Sequence, residues 1–237
     1  MTGFDFGRVK ATDQPRNNCE LMLDVETFGL VMGSPVITIG AVLFDPYASD
    51  SSDELLRRSL LIRIDLSDAI KYSAGVQSIS GETVRWWFEQ SDEAIKALVG
   101  KDAVSMQDAL VKLEKYCNER GRFMADQYFE DICDFPVCSR FWAKDPDFDM
   151  RLLQHFYDHP DLDAKQPWVF YKCRSVRTVQ DLAWPEGHDR PDFNVPGVAH
   201  DARWDAITQA MTIQAGMRRL GLAQDQDVSF TSWEGNE

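Results

Sequence analysis

Two β-rich runs, "CELMLDVET" (residues 19–27) and "PVITIGAVLFD" (35–45), follow one another across a short glycine-bearing turn. Apolar, β-branched runs bounded by turn residues read as a hairpin of buried strands. A third run, "RRSLLIRIDL" (57–66), extends the series before the pattern turns helical. Within the first run Leu21, Leu23 and Val25 share one parity, and Met22, Asp24 and Glu26 the other. Successive side chains of a strand alternate faces, so both carboxylates point to the same side. Two like charges that close repel each other and raise a pKa unless something positive sits between them. The pair is either a solvent-facing strand end or half of a divalent-metal site.

Downstream, "GETVRWWFEQSDEAIKAL" (81–98) places Val84, Trp87 and Phe88 at helical spacing, with Ser91 or Asp92 as the cap of a second helix. "SMQDALVKLEKYCNER" (105–120) is amphipathic, with apolar residues at 106, 110, 113 and 117. "FPVCSRFWA" (135–143) returns to strand, and "DFDMRLLQHFYDH" (147–159) is helical until Pro160. "WVFYKC" (168–173) reads as one more strand, followed by helical "RSVRTVQDLAW" (174–184). The helix "DARWDAITQAMTIQAGMRRL" (201–220) closes on Gly221 as a C-cap. Three sequential strands, then helices, then strand–helix alternation imply an α/β fold with a mixed central sheet flanked by helices. Residues 1–18 read as a polar N-terminal arm, 19–222 as a single domain, and 223–237 as an acidic C-terminal tail. The stretches 121–136 and 185–198 carry no assignment.

Composition narrows the class. A formal net charge of −14 argues against a protein that coats nucleic acid by general attraction, though not against one that handles phosphodiesters in a local pocket. No apolar run approaches the roughly 18 residues of a membrane span, and the first 18 residues lack a signal peptide's apolar core. Cys19, Cys117, Cys133, Cys138 and Cys173 form an odd, scattered set without a CxxC. That favours reduced thiols in a cytoplasm over a disulfide framework or a zinc site.

Two further acids join the strand pair. Asp149 falls in the first turn of the helix opened by "KDPDFDMRLL", near a strand end. Asp205 lies inside the last helix, five residues after His200. Five residues separate helical directions by roughly 140°, so the two cannot share a helical face. With Asp201 as N-cap, His200 instead sits on the preceding loop and reaches back over the same site. Four carboxylates and one imidazole form an inventory for two Mg²⁺ or Mn²⁺ ions acting on a phosphodiester. Imidazole can accept a proton from an attacking water near neutrality.

"DVETFG", "DFDMRLL" and "HDARWDA" resemble the three motifs of the DEDDh 3′–5′ exonucleases. Within that ribonuclease H-like group the chain looks most similar to phage exonucleases of the DexA type, through "TVRWWFEQS", "FYKCRSVRT" and "VAHDARWD" in that order. The resemblance spans about residues 20–215. It implies that Asp24 bridges two metals, that Glu26 and Asp205 help hold the nucleophile-side ion, that Asp149 holds the other, and that His200 is the general base. In "KDPDFDM" the match selects Asp149 over Asp147. Where the family often has "WxNG" this chain has "FWAKDP", so the loop there meets substrate differently.

Other residues carry paired readings. Thr27, Phe28 and Gly29 follow the metal acids: Gly29 allows close backbone approach and Phe28 could press on the terminal nucleotide, or the three form only a tight turn. Trp87 shares the stripe of Val84 and Phe88 and belongs to the core, whereas Trp86 points elsewhere and is a candidate for stacking on a base. Arg174 and Arg177 could clamp phosphate, or Arg177 could pair with Asp181. Lys165, Lys172, Arg174 and Arg177 form the best basic track for a single strand. His155 and His159 sit at metal-binding spacing but lack an acid or cysteine partner, which reads as a solvated helix end.

The leading function is a metal-dependent 3′–5′ exonuclease releasing nucleoside monophosphates from single-stranded 3′ ends, DNA ahead of RNA. The rivals are a non-catalytic nucleic-acid-binding module that keeps the fold, and an unrelated metal phosphohydrolase with a closed pocket. The oligomeric state stays open, a homodimer included.

Overall fold

The computed structural model describes residues 19–120 and 138–223; the expected arm, most of the expected tail, the whole 121–136 stretch and the first three residues of the strand read at 135–143 lie outside them. Five strands form one sheet: β1 (Glu20–Thr27), β2 (Val36–Phe44), β3 (Ser59–Arg63), β4 (Phe141–Ala143) and β5 (Cys173–Ser175). Their order is β3-β2-β1-β4-β5. β1 pairs antiparallel with β2 and β2 with β3, whereas β1–β4 and β4–β5 are parallel. A mixed α/β sheet with this order is consistent with a ribonuclease H-like fold.

The first two strands are almost wholly buried, as uninterrupted apolar runs require. One face carries Leu21, Leu23 and Val25 against α3 (Gly81–Phe88), α5 (Met106–Lys115) and α6 (Asp149–Tyr157). The other carries Met22, Val42 and Phe44 against α7 (Val176–Ala183) and α8 (Ala202–Arg219). Serines 80, 91, 105 and 175 cap α3, α4 (Asp92–Leu98), α5 and α7 through their side-chain oxygens. Asp201 caps α8, accepting from the Arg203 N–H at 3.0 Å, and Gly221 beyond the helix has φ +68°.

Three expectations are corrected. The strand read at 168–173 lies at 173–175 instead; Phe170–Lys172 is a 3₁₀ turn, and Val169, Phe170 and Tyr171 face solvent rather than a sheet partner. Phe88 is exposed rather than core, while Trp87 of the same stripe is buried. The strand read at 57–66 shortens to 59–63, its first residue ending the six-residue helix α1 (Ser52–Arg57) and its last opening the six-residue helix α2 (Leu66–Lys71). No helix among the described residues is long and apolar enough to cross a membrane.

Candidate active site

The carboxylates of Asp24 and Glu26 stand on the α8 side of β1, opposite the face that buries Leu23 and Val25. α8 crosses the sheet directly over β2, and the contact leaves no room for a side chain at Gly40. A Cβ there would lie 2.0 Å from the Ala202 carbonyl oxygen and 2.4 Å from the Arg203 nitrogen. Gly40 is also the residue paired with Asp24 in the β1–β2 register. The close crossing therefore sets the first turn of α8, with Asp205, beside the acidic end of β1.

One turn further along α8, Gln209 donates from Nε2 to Asp24 Oδ1 at 2.7 Å, while its own Oε1 is buried without a partner. Asp149, buried at the start of α6, reaches over the sheet top and accepts from the Val25 backbone N–H at 3.3 Å. Ligand atoms of Glu26, His200 and Asp205 all lie within 4.8 Å of one another, the one such trio among the described residues. All five residues expected at the site are thus brought together.

His200 ends the loop before α8 in a left-handed backbone conformation, φ +67°. The loop is pinned where Gly197 lies flat on the Trp204 indole; a Cβ at Gly197 would meet that ring at 2.0 Å. Two tryptophans frame the imidazole. Trp86 meets it edge-to-face at 4.7 Å between centroids and Trp87 at 6.1 Å. Trp87 is tied to the end of β1 by its Nε1–H, which donates to the Thr27 carbonyl at 3.0 Å.

Burial and mutual repulsion dominate the electrostatics. Burial holds the Asp24 carboxyl well above its ordinary range, helped by Asp149, Glu26 and Asp205 and opposed by the Gln209 hydrogen bond. Glu26 is pushed up to about 9 by burial and then by Asp205 and Asp149. Asp149 is raised to about 7, mainly by burial, with backbone N–H groups pulling the other way. Asp205 is raised by burial and eased by His200 and Lys144. Lys144, exposed just past β4, is the lysine whose charge lowers both Glu26 and Asp205. One buried and three half-buried carboxylates against so little positive charge, all offering hard oxygen donors, suit divalent cations.

The remaining candidates divide. Thr27 is buried and donates to the Gly29 carbonyl at 2.6 Å, and a Cβ on Gly29 would strike the Ser78 carbonyl at 2.2 Å. Phe28 is half-buried against the core. That triplet is built as a tight turn beside the site. Arg174 spends its Nη1 on the carbonyls of Tyr171 and Cys173, each at 2.8 Å. Arg177 faces Asp145 at 3.9 Å, both well exposed, rather than Asp181. His155 and His159 do not form a metal pair: one bonds the Tyr72 carbonyl at 3.2 Å and the other packs edge-on against the Tyr72 ring. Lys144 and Gln209 escape the sequence reading. Gln209 stands four residues after Asp205, one helical turn on the same face, and that spacing is the signal that could have found it.

A family model for the Rv2179c-like 3′–5′ exoribonuclease domain matches residues 19–217, essentially the whole described chain. The chain belongs to this family. An exodeoxyribonuclease of Enterobacteria phage T4 is 32% identical to it over 221 residues, covering 84% of this chain and 89% of that relative. The protein is accordingly a 3′–5′ exonuclease, a phosphodiester hydrolase. The acidic and histidine cluster of this exonuclease is able to bind metal.

Proposed function

We propose that the protein is a divalent-metal-dependent exonuclease that removes nucleoside 5′-monophosphates from the 3′ ends of single-stranded DNA. The observation that carries this reading is the gathering of Asp24, Glu26, Asp149 and Asp205 into one repulsive cluster, with His200 at its mouth. Asp24 would serve both of two Mg²⁺ or Mn²⁺ ions, Glu26 and Asp205 the one on the nucleophile side, and Asp149 the other. Bound there, the ions would supply charge stabilisation to the attacking and leaving oxygens of an in-line displacement.

The protein's own groups do the rest. His200, neutral, takes a proton from the attacking water as the new P–O bond forms. The P–O3′ bond breaks and O3′ takes a proton from solvent, leaving a 3′-hydroxyl on the shortened strand and the released 5′-monophosphate. Trp86 and Trp87, both edge-to-face with the imidazole, hold it in place. Gln209 fixes the rotamer of Asp24, and the Val25 N–H that of Asp149. Thr27, Phe28 and Gly29 shape the turn against which the terminal nucleotide rests, and Arg177 stands in reach of its phosphates. Action in the cytoplasm, the host's if phage-encoded, accompanies this reading.

A second substrate, RNA, is favoured by the description of the matching family as exoribonuclease, whereas the phage relative is an exodeoxyribonuclease. One assay separates them. Single-stranded DNA and RNA of one sequence, labelled at either end, are incubated with Mg²⁺ or Mn²⁺ and with chelator. The expected outcome is stepwise shortening from the 3′ end, faster on DNA and abolished by chelator or by Asp24→Asn. Shortening that survives chelator rejects the metal mechanism, and faster shortening of RNA reassigns the sugar.

A further inference from the structure

A cleft of about 370 Å³ opens beside the N-terminal half of α6, between Met150, Arg151 and Gln154 on one wall and the segment from Gln166 to Cys173 on the other. Its volume is within the range of small-ligand pockets, about 300–1,000 Å³. Trp168 is buried in its floor, held edge-on by Tyr157 at 5.5 Å. Phe170 and Tyr171 form its rim and are 86% and 64% exposed, packed edge-to-face on each other at 5.5 Å.

This aromatic pair is mounted rigidly. The 3₁₀ turn that carries it closes with Lys172 N–H donating to the Val169 carbonyl at 2.9 Å. Arg174 then straps the turn from behind through the Tyr171 and Cys173 carbonyls. Exposing two large aromatic rings costs hydrophobic free energy that a solvent-facing turn has no need to spend. The charge around them is mixed, with the Asp147 carboxylate and the Arg151 guanidinium both lining the cleft and Lys172 on the turn beside it. Arg151, on the cleft wall, and Lys172, between Tyr171 and Cys173, form no ion pair among the described residues, on a protein of net charge −14.

Register places the cleft relative to the chemistry. Cys173 pairs with Phe141, and Phe141 with Leu21. Leu21 precedes Asp24 by three positions and Glu26 by five, roughly 10–17 Å along the strand, and the two strand spacings from β5 to β1 add about 10 Å across it. A single strand whose 3′ end occupies the acidic site covers that distance within a few nucleotides.

We propose that this cleft is a subsite for one upstream nucleobase of the single-stranded substrate, stacked on Phe170 and Tyr171 with its backbone phosphate facing Arg151 and Lys172. Aromatic faces accept any base, so the subsite gives affinity for unpaired strand without sequence preference. The inference rests on the exonuclease reading above.

The test is an abasic scan. Oligonucleotides carrying one abasic residue at successive positions from the 3′ end are compared on wild-type protein and on the Phe170→Ala/Tyr171→Ala double variant. Thymidine 5′-monophosphate nitrophenyl ester, which has no upstream base, serves as reference substrate. For wild type, one upstream position should raise KM by roughly 5- to 150-fold when its base is missing. In the variant that position should no longer matter, and kcat/KM on the intact oligonucleotide should fall by a similar factor relative to the ester. Both side chains are largely solvent-exposed, so the substitutions leave the core intact. An active wild type with a flat scan, or a variant keeping the wild-type scan, overturns the subsite alone. A variant whose only change is loss of self-association in sedimentation assigns the aromatic pair to a second copy of the chain and also overturns it. A wild type that shortens no strand and cleaves no ester fails at the exonuclease reading, and the subsite falls with it.

Discussion

His200 adopts a backbone conformation that non-glycine residues seldom take, and it does so at the point where the chain enters α8. The turn aims the imidazole back at Glu26 and Asp205, while Trp86 closes against it from α3. General-base catalysis contributes about 10²–10⁴-fold, so His200→Ala should lose that much kcat while single-strand affinity stays near wild type. Single-turnover rates beside fluorescence-anisotropy binding check this; an unchanged rate would remove His200 from the mechanism. Trp86→Ala should act through the same imidazole. An edge-to-face ring pair is worth about 0.5–1.5 kcal/mol, which corresponds to a roughly 2- to 12-fold fall in kcat with little change in KM. A rise in KM at constant kcat would instead return Trp86 to base stacking. From the sequence alone the two tryptophans could be sorted into one core and one outward residue by helical phase. That the outward one meets a histidine more than a hundred positions away is a tertiary fact with no local signature.

The element that assembles the site is α8, and its seating depends on the missing side chain of Gly40. Gly40→Ala must drive the Ala202–Arg203 backbone off β2 or buckle the strand. Overpacking of this kind costs typically about 1–3 kcal/mol, and here it also moves Asp205 and Gln209 away from Asp24. Denaturant titration should show the loss of stability, and kcat should fall at least tenfold with the oligonucleotide KM less affected. A variant as stable and active as wild type would mean that the seating of α8 does not depend on the close contact at Gly40. β1, β2 and α8 were legible because each is long and strongly patterned, and the motifs ride on them. β4 occupies the last three residues of the strand read at 135–143, whereas β5 was not legible: it has only three paired residues, and "CRS" is a strand by virtue of its neighbour, not its composition. "WVFYKC" looked like the better strand because aromatic residues favour sheets, but those rings are spent on the surface. Lys144 was visible only as a departure from the family pattern. Its place beside Glu26 and Asp205 follows from the parallel pairing of β4 with β1.

At the scale of the whole molecule the acidic site is a store of destabilising charge. Glu26 has a folded-state pKa of about 9 and Asp149 of about 7, both above their ordinary values of 4.5 and 3.8. For a group raised in this way the folded form binds its proton more tightly, so the stabilisation is complete at acidic pH and disappears as pH rises through the folded pKa. The metal-free protein should therefore lose stability steadily between about pH 5 and pH 9. The net charge of −14 adds general self-repulsion over the same range, so the slope alone does not identify the site. Glu26→Gln isolates it: the substitution keeps the shape and removes a carboxyl that must take up a proton on folding, and should raise the metal-free Tm at pH 8 while changing it little at pH 5. Cations that bind only the folded protein add about 2.7 kcal/mol at a hundred times their Kd, or roughly 5–11 °C in a domain of this size. Mn²⁺ or Mg²⁺ should accordingly raise Tm at pH 8 by several degrees in wild type, much less at pH 5 where protons occupy the carboxylates, and hardly at all in Asp24→Asn. Calorimetric scans at the two pH values, with and without Mn²⁺, measure all three differences. A metal-induced shift of equal size at both pH values, or one that survives Asp24→Asn, would place the bound cations somewhere other than between β1, α6 and α8.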